Sequence, residues 1–264
     1  MKSGKFFALG LVALLCLSFG ISLANHPPLG SSFERQGWRN AARHSAGIAP
    51  DPVRHAGVAI VQVFAAPTYG WRRYFAVHPW IIFKRSGESA YTRYEVIGWG
   101  GRNVVRRNHA IPDGLWFGAV PGLLVDHRGD GVDAMIDEIE AAIARYPHAD
   151  QYRSYPGPNS NTFIAHIGRE VPALGLDMPA NAIGKDYRPL SQALGLSPSG
   201  AGLQFTLLGL LGAIVGPEEG LEFNILGLNF GMDLNRPGLR LPSVGRLGMS
   251  DASVSDTTPG LAMP

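Results

Sequence analysis

Runs of β-branched and aromatic side chains in the first half of the chain predict a sheet. Residues 58–64 and 74–83 form two such runs, and residues 91–97 form a third after the turn residues 85–89. Apolar runs separated by turn residues are typical of consecutive strands. We therefore expect an antiparallel meander, followed by an irregular basic stretch over residues 101–131.

Two helices and a hairpin are predicted further along the chain. Apolar residues recur at helical spacing over residues 133–145, with acidic residues in the first turns and Pro147 after the end. A second, short helix is expected over residues 160–167. Residues 203–233 alternate around the turn residues 216–220, which is typical of a long hairpin. The predicted fold class is α+β: an antiparallel sheet with packed helices and a C-terminal β-hairpin.

The first residues have the pattern of an export signal. Lys2 and Lys5 precede an apolar segment over residues 6–24, and residues 22–24 resemble a small-residue cleavage site. The alternative is an uncleaved anchor that associates with the membrane through residues 6–24, because about 20 apolar residues suffice to span a bilayer. In both cases we expect the rest of the chain to be exported, to the periplasm or the outer face of the inner membrane.

Composition excludes several classes of protein. With 34 Gly and 20 Pro among 264 residues, the chain has too many turn-forming residues for an all-helical bundle. Lys2 and Lys5 account for the net charge of +2, so the remainder is neutral and poorly suited to nucleic acid. The single cysteine, Cys16, lies within the export signal, which excludes disulfides and thiolate chemistry from the exported part.

The chain divides into four predicted parts. Residues 1–24 form the signal peptide or anchor, and residues 25–56 form a proline-containing linker with one short helix. Residues 57–246 form a single main domain, and residues 247–264 form a disordered tail rich in small and polar residues. The eight His residues show no pair at metal-ligand spacing on one helix, so we predict neither a metal nor a cofactor.

The start of the second predicted helix carries the first candidate site. Asn159, Ser160 and Asn161 are all good N-cap residues, so one interpretation is a well-capped helix start and nothing more. The other interpretation is catalytic: the Ser160 hydroxyl stands where backbone N–H groups converge and could hold an oxyanion. In that case Asn159 and Asn161 would contact the substrate.

A hydroxyl nucleophile needs a base, and His78 on a predicted strand is the candidate. Glu95, on the next strand, could orient its imidazole. A single His on a strand also has a structural interpretation. His166 lies too far around the helix from Ser160 to serve, and His109, in the irregular stretch, is a reserve base or substrate contact.

The order of these residues resembles the circularly permuted papain-like hydrolases, which include NlpC-type and lecithin–retinol acyltransferase-like proteins. A strand with His78 precedes a helix that opens with Asn-Ser-Asn-Thr-Phe at residues 159–163. The resemblance implies that Ser160 occupies the place of the family's cysteine nucleophile and His78 that of its histidine. Residues 57–246 are also similar to an uncharacterised bacterial family of unknown function, through segments 156–163, 182–187 and 219–228.

The expected function is therefore an envelope hydrolase or acyltransferase that acts on an amide or ester through Ser160 and His78. A serine hydroxyl has a far higher pKa than a thiol, so it would need His78 as a true general base. The competing hypothesis is a non-catalytic envelope binding or scaffold protein on a degenerate papain-like fold. The substrate or protein partner is unknown in both cases.

Overall fold

The computed structural model describes residues 2–26, 37–233 and 235–248. The helices are α1 (Lys2–Asn25), α2 (Gly37–Asn40), α3 (Val132–Ala144) and α4 (Ser160–Glu170), with short 3₁₀ turns at Gly70–Tyr74, Pro172–Leu174 and Leu190–Gln192. The strands are β1 (Ile60–Pro67), β2 (Val77–Lys84), β3 (Thr92–Val96), β4 (Val105–Arg107), β5 (Gly122–Arg128), β6 (Leu194–Leu196), β7 (Leu203–Leu207), β8 (Leu211–Gly216), β9 (Gly220–Ile225), β10 (Leu228–Asp233), β11 (Gly238–Leu241) and β12 (Gly245–Gly248). The α+β class is confirmed.

The first sheet has the strand order β4-β3-β2-β1-β5. Strands β1, β2 and β3 pair consecutively and antiparallel, which confirms the predicted meander. The stretch 101–131, expected to be irregular, contains β4 and β5 at opposite edges of this sheet. Strand β5 pairs with β1 rather than with β4, its neighbour in sequence.

A separate apolar cluster covers each face of the first sheet. Val61, Val77 and Ile81 point to the face on which α3 and α4 pack, beside Ile136 and Phe163. Alternate residues on the same strands point the other way and form a second cluster, which loops cover instead of helices; its buried members are Ile60, Phe64, Ala66, Trp80, Ile82, Tyr91, Ile97 and Trp116. Adjacent strand residues point to opposite faces, so the period of two separates the two clusters.

Helix α4 starts at Ser160, as predicted, because Asn159 caps it. The Asn159 side-chain oxygen accepts from the backbone N–H groups of Asn161 (2.9 Å) and Thr162 (3.2 Å). The Thr162 hydroxyl in turn accepts from the Asn159 N–H at 3.0 Å, which completes a capping box. Helix α3 is confirmed within one residue at each end of the prediction.

The predicted C-terminal hairpin is confirmed as part of a larger antiparallel sheet. Its strands follow one another in sequence from β6 to β12. The side of this second sheet that faces the rest of the protein is polar. Lys185 forms ion pairs there with Glu222 and Asp186, and Arg240 Nη2 lies 2.6 Å from Asp177 Oδ2. Side chains of this cluster are almost fully buried.

The N-terminal segment forms α1, which contacts the folded part near its C-terminal end. The Ser22 hydroxyl donates to Tyr74 O at 2.8 Å, the Ser18 hydroxyl donates to Pro242 O, and the Phe19 ring stacks on Phe75 with centroids 5.0 Å apart. Within the described part of the chain, no helix meets the length and hydropathy needed to cross a membrane. Most of the predicted tail, residues 249–264, lies outside the described residues.

Candidate functional site

His78, Glu95 and Arg93 form a buried polar cluster on the loop-covered face of the first sheet. His78 Nε2 lies 2.9 Å from Glu95 Oε2, and Arg93 Nη2 lies 2.9 Å from the same oxygen. Arg93 Nη1 also donates to Ile111 O at 2.7 Å. The structure thus brings Glu95 to His78, as the strand pattern suggested.

Aromatic rings enclose this cluster. The His78 ring stacks on Trp116, with centroids 3.7 Å apart and an interplanar angle of 10°. The Arg93 guanidinium lies 4.1 Å from the centroid of Trp80, whose indole N–H donates to Pro112 O. These contacts leave the His78 residue only 4% exposed.

The surroundings fix the protonation states. Burial would raise the pKa of Glu95, but the hydrogen bond from His78 and the charge of Arg93 outweigh it and lower that pKa to about 2. Burial lowers the pKa of His78 despite its bond to Glu95. An ionised carboxylate can only accept, so neutral His78 carries its hydrogen on Nε2 and leaves Nδ1 as the basic atom.

Ser160 occupies the first position of α4 and is only 5% exposed. Its neighbours hold the helix start in place: Asn159 Nδ2 donates to Ile183 O at 3.0 Å, and Asn161 Nδ2 donates to Ile183 O at 2.9 Å and Val77 O at 3.1 Å. Both asparagines therefore bind backbone of the chain itself. Their amide groups hold the start of α4 in place, whereas the sequence led us to expect that they contact a substrate.

The structure does not join Ser160 to His78. No hydrogen bond links the two side chains in the described structure. Val77, next to His78, packs in the same cluster as Phe163 and Ile164 of α4. His78 itself points to the opposite face, where it stacks on Trp116.

The reserve base His109 lies apart from both groups. It is exposed in the loop that follows β4, and it makes no side-chain hydrogen bond to a described residue. Within the ranges that the structure describes, no group of three or more His, Cys, Asp or Glu side chains could hold a metal ion.

Sequence reasoning missed Arg93 and Trp116 as members of the His78 cluster. Arg93 stands two residues before Glu95 on β3, so the period of two already placed both side chains on one face. Trp116 comes from the loop between β4 and β5, and no local pattern connects it to His78. Only the tertiary structure brings this loop residue against the His78 ring.

The outer side of the second sheet is a further candidate binding surface, which we name the apolar face. Leu196, Leu203, Val215 and Leu221 pair in one cross-strand row, and the row continues through further apolar residues to β12. Two further rows run parallel to it, through Phe205 and through Leu207, both on the side toward the turn 208–210. The apolar face comprises Leu194, Leu196, Leu203, Phe205, Leu207, Leu211, Ala213, Val215, Leu221, Phe223, Ile225, Leu228, Phe230, Met232, Leu239 and Leu247.

None of these outward positions carries a polar side chain, and most are exposed. Strands spaced about 4.8 Å apart make this surface about 29 Å wide from β6 to β12. Soluble proteins rarely leave a continuous apolar surface of this kind uncovered, which makes the apolar face a candidate binding surface.

Comparison with known families finds a match over the part of the chain that contains the first sheet. Residues 58–187 match the model of a family described as "Protein of unknown function (DUF3750)", which supports a domain of that uncharacterised kind over β1–β5, α3 and α4. The match ends at Tyr187, so it is shorter than the resemblance expected over residues 57–246 and excludes the second sheet. No curated protein and no solved structure matches the chain.

Proposed function

We propose that this protein is a non-catalytic binding or scaffold protein of the cell envelope, on a degenerate papain-like domain. The observation that carries the proposal is the arrangement of β2. Val77 faces α4, where it packs in one cluster with Phe163 and Ile164, whereas His78 faces the aromatic cluster. A general base must reach the proton that it removes, either directly or through one water.

The surroundings of His78 fit a structural role. The ring stacks on Trp116 and donates to Glu95, which Arg93 also binds. A buried carboxylate and a buried arginine compensate each other only while both remain in place. The cluster thus connects β2 and β3 to the loop around Pro112 and Trp116. This structural role explains why His78, Glu95 and Arg93 are present, and it requires no catalytic activity.

A hydrolase or acyltransferase acting on an amide or ester is the competing function. Two features favour it: His78 Nδ1 has no hydrogen-bond partner among the described residues, and Ser160 stands at a helix N-terminus. In that mechanism His78 Nδ1 would take the Ser160 proton as the hydroxyl attacks the carbonyl, and backbone N–H groups of α4 would hold the oxyanion. The two hypotheses differ in whether Ser160 and His78 meet.

The test replaces Ser160 by a reporter of its surroundings. The variant Ser160→Cys in a Cys16→Ala background carries one thiol, because Cys16 is the only native cysteine. A thiol beside an imidazole ionises well below the usual pKa of about 8.5. The N-terminus of α4 also lowers the pKa of a thiol at this position, whereas burial raises it, so only the part of the pKa that depends on His78 reports a base. We expect the pH midpoint of alkylation by iodoacetamide to be independent of His78.

Adding His78→Ala to that variant provides the matched control. If the residues are uncoupled, the pH profile of alkylation stays the same in both variants. A profile with a midpoint below pH 7 that is lost with His78→Ala would contradict the proposal and support the hydrolase. Fluorophosphonate labelling that occurs in the native chain and is abolished by Ser160→Ala would also contradict the proposal and support the hydrolase.

A further inference from the structure

We propose that the apolar face binds the surface of a lipid bilayer. The inference rests on the proposed function, since it names the partner of a binding protein. The surface would lie in the boundary between headgroups and acyl chains without spanning the membrane, as amphipathic peripheral elements do. Four features of one end of the second sheet support this partner.

The first feature is a pair of strained turns, which we name the leucine turns, at residues 208–210 and 226–227. Leu208 and Leu226 adopt positive φ angles of 55° and 53°, and each precedes a glycine. Asn-Gly is the usual choice for such turns, because leucine is strained in this conformation. Leu226 is nevertheless 66% exposed. A strained, exposed leucine in place of asparagine indicates that its apolar side chain is needed there.

The second feature is the position of these turns. Successive turns of an antiparallel meander alternate between two ends, so the leucine turns and the turn 242–244 lie at the same end. The two leucine turns are neighbours, since the Leu226 N–H donates to Leu210 O. At the opposite end the turn 217–219 contains Glu218 and Glu219. One end of the sheet is therefore apolar, and the other is charged.

The third feature is a group of exposed aromatic and basic side chains near this end of the sheet. Tyr155 is 49% exposed, and its hydroxyl donates to Leu226 O at 2.9 Å. The Trp71 ring contacts Phe75, with centroids 6.0 Å apart. Phe75 in turn stacks on Phe19, the neighbour of Ser18, which bonds Pro242 in the turn 242–244. Arg72 lies 5.0 Å from the ring centroid of Trp71, which is 57% exposed. Tryptophan and tyrosine concentrate at membrane interfaces, and arginine complements anionic headgroups.

The fourth feature is the approach of α1 to the same end. Ser18 of α1 bonds Pro242, in the turn beside the leucine turns, and Phe19 stacks on Phe75. The exposed side chains of α1 include Leu9, Val12, Leu17 and Leu23. An apolar helix and an apolar sheet surface thus meet at one end of the protein.

A second copy of the chain fits these features less well than a bilayer. Two sheets stacked face to face would bury the rows of the apolar face, as in a β-sandwich. They would leave Leu226 at the sheet end, together with Trp71 and Arg72, outside the contact. A bilayer interface accommodates the face, the turn and the basic aromatic group together, because it offers hydrocarbon beside anionic headgroups.

Environment-sensitive labels on the full chain test the inference. In a Cys16→Ala background, a nitrobenzoxadiazole label is placed at Leu226→Cys or at Phe223→Cys on the apolar face. Asn235→Cys at the charged end is the matched control. Vesicles of phosphatidylethanolamine and phosphatidylglycerol should shift the emission of the first two labels to the blue and leave the third unchanged.

The variant Leu226→Asn separates binding from folding. Asparagine tolerates the positive φ, so the thermal midpoint should stay the same or rise. Flotation with the same vesicles should weaken about tenfold, the effect of losing one largely exposed leucine from the contact. Glu218→Gln at the charged end should bind like the native chain.

Two results would overturn the inference. One is emission at Leu226 and Phe223 that vesicles do not change. The other is a blue shift that grows with protein concentration in the absence of lipid, which would assign the face to a second copy. Both are distinct from a failure of the proposed function, because the Ser160→Cys titration is measured without vesicles.

Discussion

Replacing Glu95 by glutamine should destabilise the protein by removing one buried charge while keeping the local geometry. Glu95 Oε2 accepts from both His78 and Arg93, whereas Oε1 has no hydrogen-bond partner within the described residues. A glutamine oxygen can take the place of Oε2, and its amide nitrogen can take the place of Oε1. Both hydrogen bonds therefore survive, while the negative charge is lost and the amide nitrogen adds N–H donors at a buried position without a described acceptor, which adds to the loss.

The expected magnitude follows from the pKa of Glu95. The fold lowers this pKa from 4.5 to about 2. At about 1.4 kcal/mol per unit, the ionised carboxylate contributes about 3 kcal/mol to the free energy of unfolding at neutral pH. The loss is consistent with the cost of about 3–5 kcal/mol for leaving a buried charge such as Arg93 unpaired.

The same pKa predicts how stability changes with pH. A carboxyl whose pKa is lower in the folded state stabilises the fold above its unfolded value, and that stability is lost as the pH falls from about 4.5 to about 2. The stability difference between the native chain and Glu95→Gln should shrink over this window. The lowered pKa of His78 makes the fold lose stability below about pH 6.5 for a different reason, because the unfolded state then binds the extra proton.

Urea unfolding followed by tryptophan fluorescence measures the effect, since Trp80 and Trp116 lie against the cluster. Exposed Glu138 on α3 supplies the matched control. Glu138→Gln should change the free energy of unfolding by less than about 0.5 kcal/mol. A loss below about 1 kcal/mol for Glu95→Gln at pH 7, or a difference that does not shrink in acid, would refute the assignment of a charged, buried Glu95.

Two further changes test the helix start and the buried polar side of the second sheet. Asn159→Ala should cost about 2–3 kcal/mol in urea unfolding, because it removes the α4 cap and two donated bonds, whereas Asn159→Ser keeps a capping oxygen and should cost less; equal losses would show that the cap is unimportant. Arg240→Met should cost about 3–5 kcal/mol, because Asp177 and Glu222 stay buried but lose the positive charge of Arg240, while exposed Arg54→Met should have almost no effect. A native-like urea midpoint for Arg240→Met would contradict a charged interior at that position.

Local patterns sufficed for much of the fold. The runs over 58–64 and 91–97 predicted consecutive strands because β-branched and aromatic side chains fit a pleated surface. Asn159 predicted the start of α4, because an N-cap depends on residues within one turn. Strand β5 was missed, since its partner β1 lies about 60 residues earlier in the chain and the basic residues around β5 obscure the alternation.

The candidate site depended on information that a single sequence does not contain. The sequence shows the types and order of His78 and Ser160, but it does not show on which face of β2 helix α4 packs. One residue of register decides whether Val77 or His78 points toward that helix. The structure gives this position to Val77.

The second sheet shows most clearly which features the sequence determined and which depended on the tertiary structure. By itself, the sequence determined that residues 203–233 alternate between apolar and polar side chains, because the period of a strand is two. Only the tertiary structure decided that the polar side faces inward. Lys185 and Asp177, from outside the sheet, supply the charges that Glu222 and Arg240 need when buried. With its polar side satisfied in the interior, the sheet leaves its apolar side on the surface.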